Sequence, residues 1–399
     1  MLRAGVFIAL LCITSAADAA GQYLEMKFEG TRHRGMGGVD IVIDHTTPAN
    51  GALGGGLRTT ILGLDSYATV SEGFAAYRFG YDLWETSNST TLSSSEELEA
   101  LAIQLQDIGT RVKGSEFLLE MHTRVDLLNF NTNRGPWTFQ FGLYSEGLAG
   151  ARWTAPREIT FVEDATNSYI DLGEDRTLIR AGARLDNGAA FGIGHAFSFN
   201  ENLRFSVGAR VRAFHRMSLP EHAVSVNAQV HSAADIVIPR EINRIQGGGL
   251  GLDLFTALHF NDDPTGFRLG AYVEDVVTHV WRGDRNFFVP PRFGVGAAWV
   301  SSDGRLTIGT DLERVETFRP KWQPTWQTGL SYTAGSQRVG ITPKAGFILN
   351  HRHIVSPEVS PVVTAGLEIH GAIVHFGVAG EYHTASGAVN AGVSLKFGY

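Results

Sequence analysis

The chain ends on a run that alternates without a break. Val389, Ala391, Val393, Leu395, Phe397 and Tyr399 fall on one side of an extended segment, and Asn390, Gly392, Ser394, Lys396 and Gly398 on the other. Successive side chains of a strand point to opposite faces, so this segment has one apolar face and one polar or glycine face. The same period of two returns upstream. Val374, Phe376, Val378 and Tyr382 oppose His375, Gly377, Ala379, Glu381 and His383, and Val363, Ala365, Leu367 and Ile369 oppose Thr364, Gly366, Glu368 and His370. Trp326, Leu330 and Tyr332 form another such row, as do Leu250, Leu252, Leu254, Leu258 and Phe260 against Asp253 and His259. Leu203, Phe205, Val207, Ala209, Val211 and Ala213 oppose Arg204, Ser206, Arg210 and Arg212. Weaker copies start near Glu116, Trp137, Arg176, Ala190, Phe267, Arg292, Arg305 and Arg338, about fourteen in all between residues 115 and 399.

Two architectures use strands of this kind. A soluble sandwich or propeller turns the apolar face inward, whereas a membrane barrel turns it to lipid and lines its lumen with the polar face. The segments run to about 10–14 residues, long for a globular sheet and sufficient to cross a bilayer. Aromatic residues gather near their ends (Trp137, Trp281, Trp299, Trp326, Tyr382), where interface girdles lie. The terminal Phe397-Gly398-Tyr399 is similar to the sorting signal of bacterial outer-membrane barrels. No apolar run is long enough for a membrane helix. In hydrocarbon an open sheet edge leaves backbone groups unpaired, so the sheet must close. The expected fold is all-β: a transmembrane antiparallel β-barrel of about 14 strands over residues 115–399, entered through an N-terminal hatch or plug segment and one short amphipathic helix.

Composition narrows the function. A net charge of -8 argues against a nucleic-acid partner. The single cysteine excludes a disulfide scaffold. That residue, Cys12, lies in residues 1–20, where Arg3, the apolar stretch Val6–Ile13 and Ala17-Asp18-Ala19 read as a secretory signal peptide. Residues 21–92 are glycine-rich and short-ranged, which suits a plug-like segment. Residues 93–114 have helical period: Leu98, Leu101, Ala102, Leu105, Ile108 and Val112 form one stripe, and Ser94 with Glu97 makes a capping box.

A leader, a glycine-rich N-terminal segment and about fourteen strands ending on an aromatic residue resemble the FadL-like outer-membrane superfamily. That superfamily includes long-chain fatty-acid channels, PorV-like secretion barrels and TraF-like conjugation-associated barrels. Arg34-Gly35-Met36-Gly37-Gly38, followed by Pro48-Ala49 and Leu53, looks like their hatch motif, with Thr47 in place of its asparagine and Asn50 following. The helical insertion before Glu116 is closest to the TraF-like branch. The resemblance implies two functions: passage of hydrophobic or amphipathic small molecules through a plugged lumen, or a non-enzymatic accessory barrel in secretion, conjugation or surface assembly. An outer-membrane lipid-modifying enzyme is a third. The expected partners are outer-membrane lipids, the barrel-assembly machinery through the C-terminal strand (Phe397, Tyr399), and either a hydrophobic ligand or a secretion or conjugation complex.

The polar faces supply candidate lumen residues: Arg204, Arg210, Arg212, Glu368 and Glu381 foremost, with Arg180, Arg184, Lys344, Lys396, Asp253, Glu274, Asp311 and Glu313. Mixed charges inside a barrel pair and keep the lumen hydrated, while the row Arg204, Arg210, Arg212 is also compatible with anion selectivity. No nucleophile elbow, P-loop or dinucleotide fingerprint occurs. His351 and His353 alternate on one face, yet no carboxylate or cysteine completes a ligand set. No catalytic residue, cofactor or metal is expected.

Overall fold

A computed structural model describes residues 36, 41, 48–53, 58–70, 103, 116–154, 160–163, 168–171, 176–226, 229–230, 236–237, 245–260, 265–282, 285–289, 291–314, 324–336, 339–352, 359–384 and 389–398. The expected leader, Arg34, Gly35, Gly37, Gly38, Tyr399 and all of the 93–114 helix except Ile103 lie outside the described residues; Ile103 itself is helical and exposed.

A short helix α1 (Pro48–Leu53) precedes β1 (Arg58–Val70), β2 (Glu116–Arg134) and β3 (Trp137–Thr154). Next come β4 (Thr160–Glu163), β5 (Ser168–Asp171), β6 (Arg176–Asn200), β7 (Leu203–Val226), β8 (Gln229–Val230) and β9 (Ile236–Val237). They are followed by β10 (Ile245–Phe260), β11 (Gly266–Arg282), β12 (Arg285–Val289), β13 (Arg292–Val300), β14 (Leu306–Arg314) and β15 (Pro324–Tyr332). The chain finishes with β16 (Ala334–Gly335), β17 (Gly340–Arg352), β18 (Val359–His370), β19 (Val374–His383) and β20 (Val389–Gly398).

Fourteen of these close a ring of antiparallel neighbours: β1, β2, β3, β6, β7, β10, β11, β13, β14, β15, β17, β18, β19 and β20. Closure is made by β20 against β1, with pairs such as Tyr67↔Gly392 and Val70↔Val389. β4, β5 and β8 form a separate small sheet. At one rim the connections are short: residues 135–136, 201–202, 301–305 and 371–373 turn the chain directly. Gly135 (φ 61°) and Gly304 (φ 69°) supply the left-handed backbone that two of these turns need. The opposite rim carries the long connections between β3 and β6, β7 and β10, and β14 and β15.

The number of strands is the expected one, but the set differs. β1 lies within the stretch that sequence assigned to the 21–92 plug segment, so the barrel begins at Arg58 rather than at 115. The copies expected to start at Arg176 and Ala190 are a single strand of 25 residues, β6. β7 continues to Val226 and β10 begins at Ile245. Pro220 is accommodated where the β6–β7 register shifts between Ala181 and Ala183, since a residue without an N–H fits a bulge better than a regular ladder.

The faces are inside-out relative to a soluble protein. On β19, Phe376, Val378 and Tyr382 are exposed while Gly377, Ala379, Glu381 and His383 are buried. On β15, Trp326, Leu330 and Tyr332 are exposed and Thr325, Gln327 and Ser331 buried. The buried set holds Asp65, Glu120, Arg184, Asp186, Arg216, Asp253, Arg268, Glu274, Asp311, Glu313 and Lys344, whereas some forty large apolar side chains look outward. Only a surrounding apolar solvent makes that arrangement stable, because water would leave those side chains unburied and a charge on the lipid face costs about 2–4 kcal/mol at mid-bilayer. None of the described helices is long and apolar enough to cross a membrane; the strands do so.

Candidate functional site

The inward face of β7, β10, β11 and β13 carries one linked set of charges. Asp253, fully buried on β10, accepts from Arg210 Nε (2.9 Å) and from Arg212 Nη2 (2.9 Å). Arg210 Nη2 also donates to Glu274 (3.0 Å). Asp275 takes hydrogen bonds from Arg212, from Arg292 Nη2 (2.9 Å) and from Thr278 Oγ1 (2.9 Å), and its own N–H donates to Asp253 (3.0 Å). Asp275 has φ 57°, a left-handed conformation uncommon for a non-glycine residue. It stands where β11 leaves the β10 register between Leu252 and Leu254 and changes partner from β13 to β12. The surrounding bonds hold that conformation in place.

A second set lies on β2, β3, β6 and β7. Glu146 accepts from Arg184 Nη2 at 2.9 Å and has Arg124 Nη1 at 3.5 Å. Arg124 Nε donates to Asp126 (2.9 Å). Arg216 pairs with Asp186 through two parallel bonds of 2.8 and 2.7 Å, the strong forked geometry. His122 sits between Tyr67, whose hydroxyl meets Nδ1 at 2.7 Å, and Glu146, 3.6 Å from Nε2. Three guanidinium groups lie over rings: Arg124 on Tyr144, Arg210 on Phe255 and Arg216 on Phe214, at 4.9, 5.0 and 4.9 Å. Each set balances three arginines against three carboxylates.

The remaining wall is more sparsely charged. Lys344 Nζ donates to Glu368 (2.6 Å), and Asn390 Nδ2 to Glu381 (2.7 Å). Of the residues proposed from sequence, Arg210, Arg212, Glu368 and Glu381 therefore all engage partners in the lumen wall. Arg204 shares the face of Ser206 and stands in register with Ser198 and His259. Arg210 and Arg212 are neutralised by their carboxylates, so they do not form the unopposed basic row that anion selectivity would require.

Met36, Ile41 and the residues of α1, all ahead of β1, lie against the same inward face. The Ile41 N–H donates to Asp311 (2.9 Å), Asn50 Nδ2 donates to the Ile41 carbonyl (2.8 Å), and Ser206 Oγ donates to the Ala49 carbonyl (2.9 Å). Ile41, Ala49 and Leu53 cluster with Phe255, Ala257, Tyr272 and Ala298. Burying a side chain such as Ile41 or Leu53 contributes about 1.5–3 kcal/mol. A Cβ at Gly329 would collide with the Met36 backbone, and one at Gly296 with Ile41 and Asp311. Met36, Pro48 and Ala49 of the hatch-like motif are thus placed, with Met36 and Ala49 buried. Sequence reading missed Ile41, Asn50 and Asp311 as mutual partners. The signal was present as glycine at inward positions of neighbouring strands, where a second layer of chain must approach closely.

No protein-family model matches the chain, and no curated protein matches it. Solved structures do. A mutant of the monoaromatic hydrocarbon channel TodX gives a TM-score of 0.50 at 13% sequence identity, covering 93% of this chain and 99% of that one. The Pseudomonas putida toluene transporter TodX gives 0.49 at 13% identity, over 94% of this chain and 99% of that one. A Pseudomonas aeruginosa FadL homologue gives 0.46 at 10% identity, over 94% and 98%. The likeness is one of fold: this chain shares the barrel fold of the TodX channel mutant.

Proposed function

We propose that this chain is a bacterial outer-membrane channel, not an enzyme, that passes hydrophobic or amphipathic small molecules through a lumen plugged by its own N-terminal segment. The observation that carries the reading is the seating of Ile41, Ala49 and Leu53 on Phe255, Ala257, Tyr272 and Ala298, which makes an apolar station inside a lumen whose walls carry many charges. The solved barrels it is similar to include channels described for toluene and monoaromatic hydrocarbons, which supports the same class of cargo. In this reading residues 1–20 are the cleaved leader, and Arg34, Gly35, Met36, Gly37, Gly38, Pro48 and Ala49 belong to the plug. Phe397 and Tyr399 are the end read by the assembly machinery, and Arg204, Arg210, Arg212, Glu368 and Glu381 keep the lumen wetted and its walls joined.

The test is uptake of radiolabelled toluene by cells expressing the full chain. The expected result is an initial rate several-fold above the vector control, with the protein in the outer-membrane fraction and showing a gel shift on boiling. A correctly inserted barrel that leaves uptake at the control rate overturns the reading. The accessory-barrel alternative draws on one feature: β6 and β7, with 25 and 24 residues, outgrow the membrane, and β9 pairs beside β7. Control-level uptake together with a stoichiometric protein complex would favour it.

A further inference from the structure

Three inward-facing aromatic residues are seated in one way. Tyr144 on β3 stands directly opposite Gly188 on β6, Phe214 on β7 opposite Gly249 on β10, and Tyr272 on β11 opposite Gly294 on β13. In each pair the ring crosses onto the neighbouring strand and occupies the space a side chain would take. A Cβ on Gly188 would lie 2.8 Å from the Tyr144 ring and from the Ala213 carbonyl oxygen, and Cβ atoms on Gly249 and Gly294 would meet the rings of Phe214 and Tyr272 closer still, the latter beside Ile41. Gly188 is also in register with Phe214, so Tyr144, Gly188, Phe214 and Gly249 alternate ring and gap along one row of four strands.

The lumen side of these rings is closed as well. The Arg124 guanidinium lies over Tyr144 and that of Arg216 over Phe214, and Arg216 is itself held by its two bonds to Asp186. The Tyr272 hydroxyl donates to Glu313 on β14 at 2.7 Å, reaching across Gly294, which is in register with Glu313. All three aromatic residues are buried although they face a lumen. A ring lying flat takes up little of the bore; the same ring turned upright would project into it and carry its arginine along.

We infer that Gly188, Gly249 and Gly294 set the free bore of this lumen, and with it the size of molecule admitted, by letting Tyr144, Phe214 and Tyr272 lie flat along the wall. The inference deepens the channel reading and rests on it for the passage of molecules. The position of the rings can be tested without it. Because the atoms met by a Cβ added at Gly249 all belong to the Phe214 ring rather than to backbone, Gly249→Ala relieves the collision by lifting the ring and leaves the strand in place.

The experiment compares uptake of toluene and of the bicyclic naphthalene by cells expressing the full chain. Gly249→Ala is expected to slow naphthalene about tenfold relative to toluene, the exponential response of rate to a modest steric barrier. Adding Phe214→Leu to it should restore the ratio, and Tyr144→Leu alone should shift the ratio towards naphthalene. A folded Gly249→Ala barrel with an unchanged ratio overturns the inference. Should Gly249→Ala fail to assemble, Gly294→Ala, which meets only side chains, and Tyr144→Leu carry the same comparison. Should the unsubstituted protein admit neither probe, the passage reading fails by itself. A structure of whichever glycine variant folds then decides the inference: the ring turned into the lumen sustains it, and a ring still flat refutes it.

Discussion

The barrel has two unlike walls. One, from β2 through β11, has strands of 16 to 25 residues and an inner face crowded with arginine–carboxylate pairs. The other, from β13 round to β1, has strands of 9 to 13 residues, and among the described residues its inner charges are fewer. The short wall is what the bilayer asks for, about 9–11 tilted residues. At ~3.3 Å per residue the 25 residues of β6 run ~80 Å, far more than a tilted crossing requires. The difference teaches that lipid determines the minimum height and the outward face of both walls, while the inner networks follow the taller wall.

The comparison can be broken most readily at Asp253. Replacing it with alanine strips a shared carboxylate from Arg210 and Arg212 in a buried site, and the expected loss is about 3–5 kcal/mol. Urea unfolding in detergent, followed by gel mobility, measures it. If Asp253→Ala costs no more than the short-wall substitution below, the two walls are energetically alike and the contrast fails.

Lipid contact should not distinguish the walls. Leu254 on the tall wall and Leu312 on the short one are 43% and 44% exposed, so Leu254→Arg and Leu312→Arg are each expected to cost about 2–4 kcal/mol. Unfolding in liposomes checks this, and a silent substitution at either position would show that its face does not meet acyl chains. A smaller effect is expected from Lys344→Met, which removes the amine bonded to Glu368. Glu368 retains some exposure, so about 1–3 kcal/mol is lost, measured in the same urea series.

The smallest effect belongs to the turn between β13 and β14. There the Ser301 hydroxyl and the Arg305 N–H donate to Asp303 and hold its carboxyl below the usual carboxylate range. A depressed value in the folded state adds stability that is present above the ordinary carboxylate range and lost as pH falls through the lowered one. Asp303→Ala should flatten the acid dependence of stability in that window, its small loss being present at neutral pH and vanishing at acid pH. An unchanged acid profile would count against the bonding described.

Legibility followed the outward face. β20, β19, β18 and β15 were readable because most of their outward residues are large and apolar. β1 was not: its outward row after Leu62 and Leu64 continues with Ser66 and Ala68, and the pairing to β20 slips between Thr60 and Leu62. β6 was split because Asp186-Asn187-Gly188 has the composition of a hairpin turn. The chain stays extended there because Asp186 is bound by Arg216 and Gly188 lies beneath the ring of Tyr144. For the lumen, Arg210, Arg212, Glu368 and Glu381 could be assigned to the inner face from their parity alone.

Their partners could not be assigned. Alternation is a local property, since the backbone turns each side chain to the face opposite its neighbours, and it was enough to specify strands, faces and the need for closure in lipid. Whether Arg212 meets Asp253 and Asp275, whether Ile41 meets Asp311, and which ring rests on which glycine depend on the register of strands distant in sequence. A shift of one residue would exchange every such contact. Only the closed ring, with all its registers settled together, decided them.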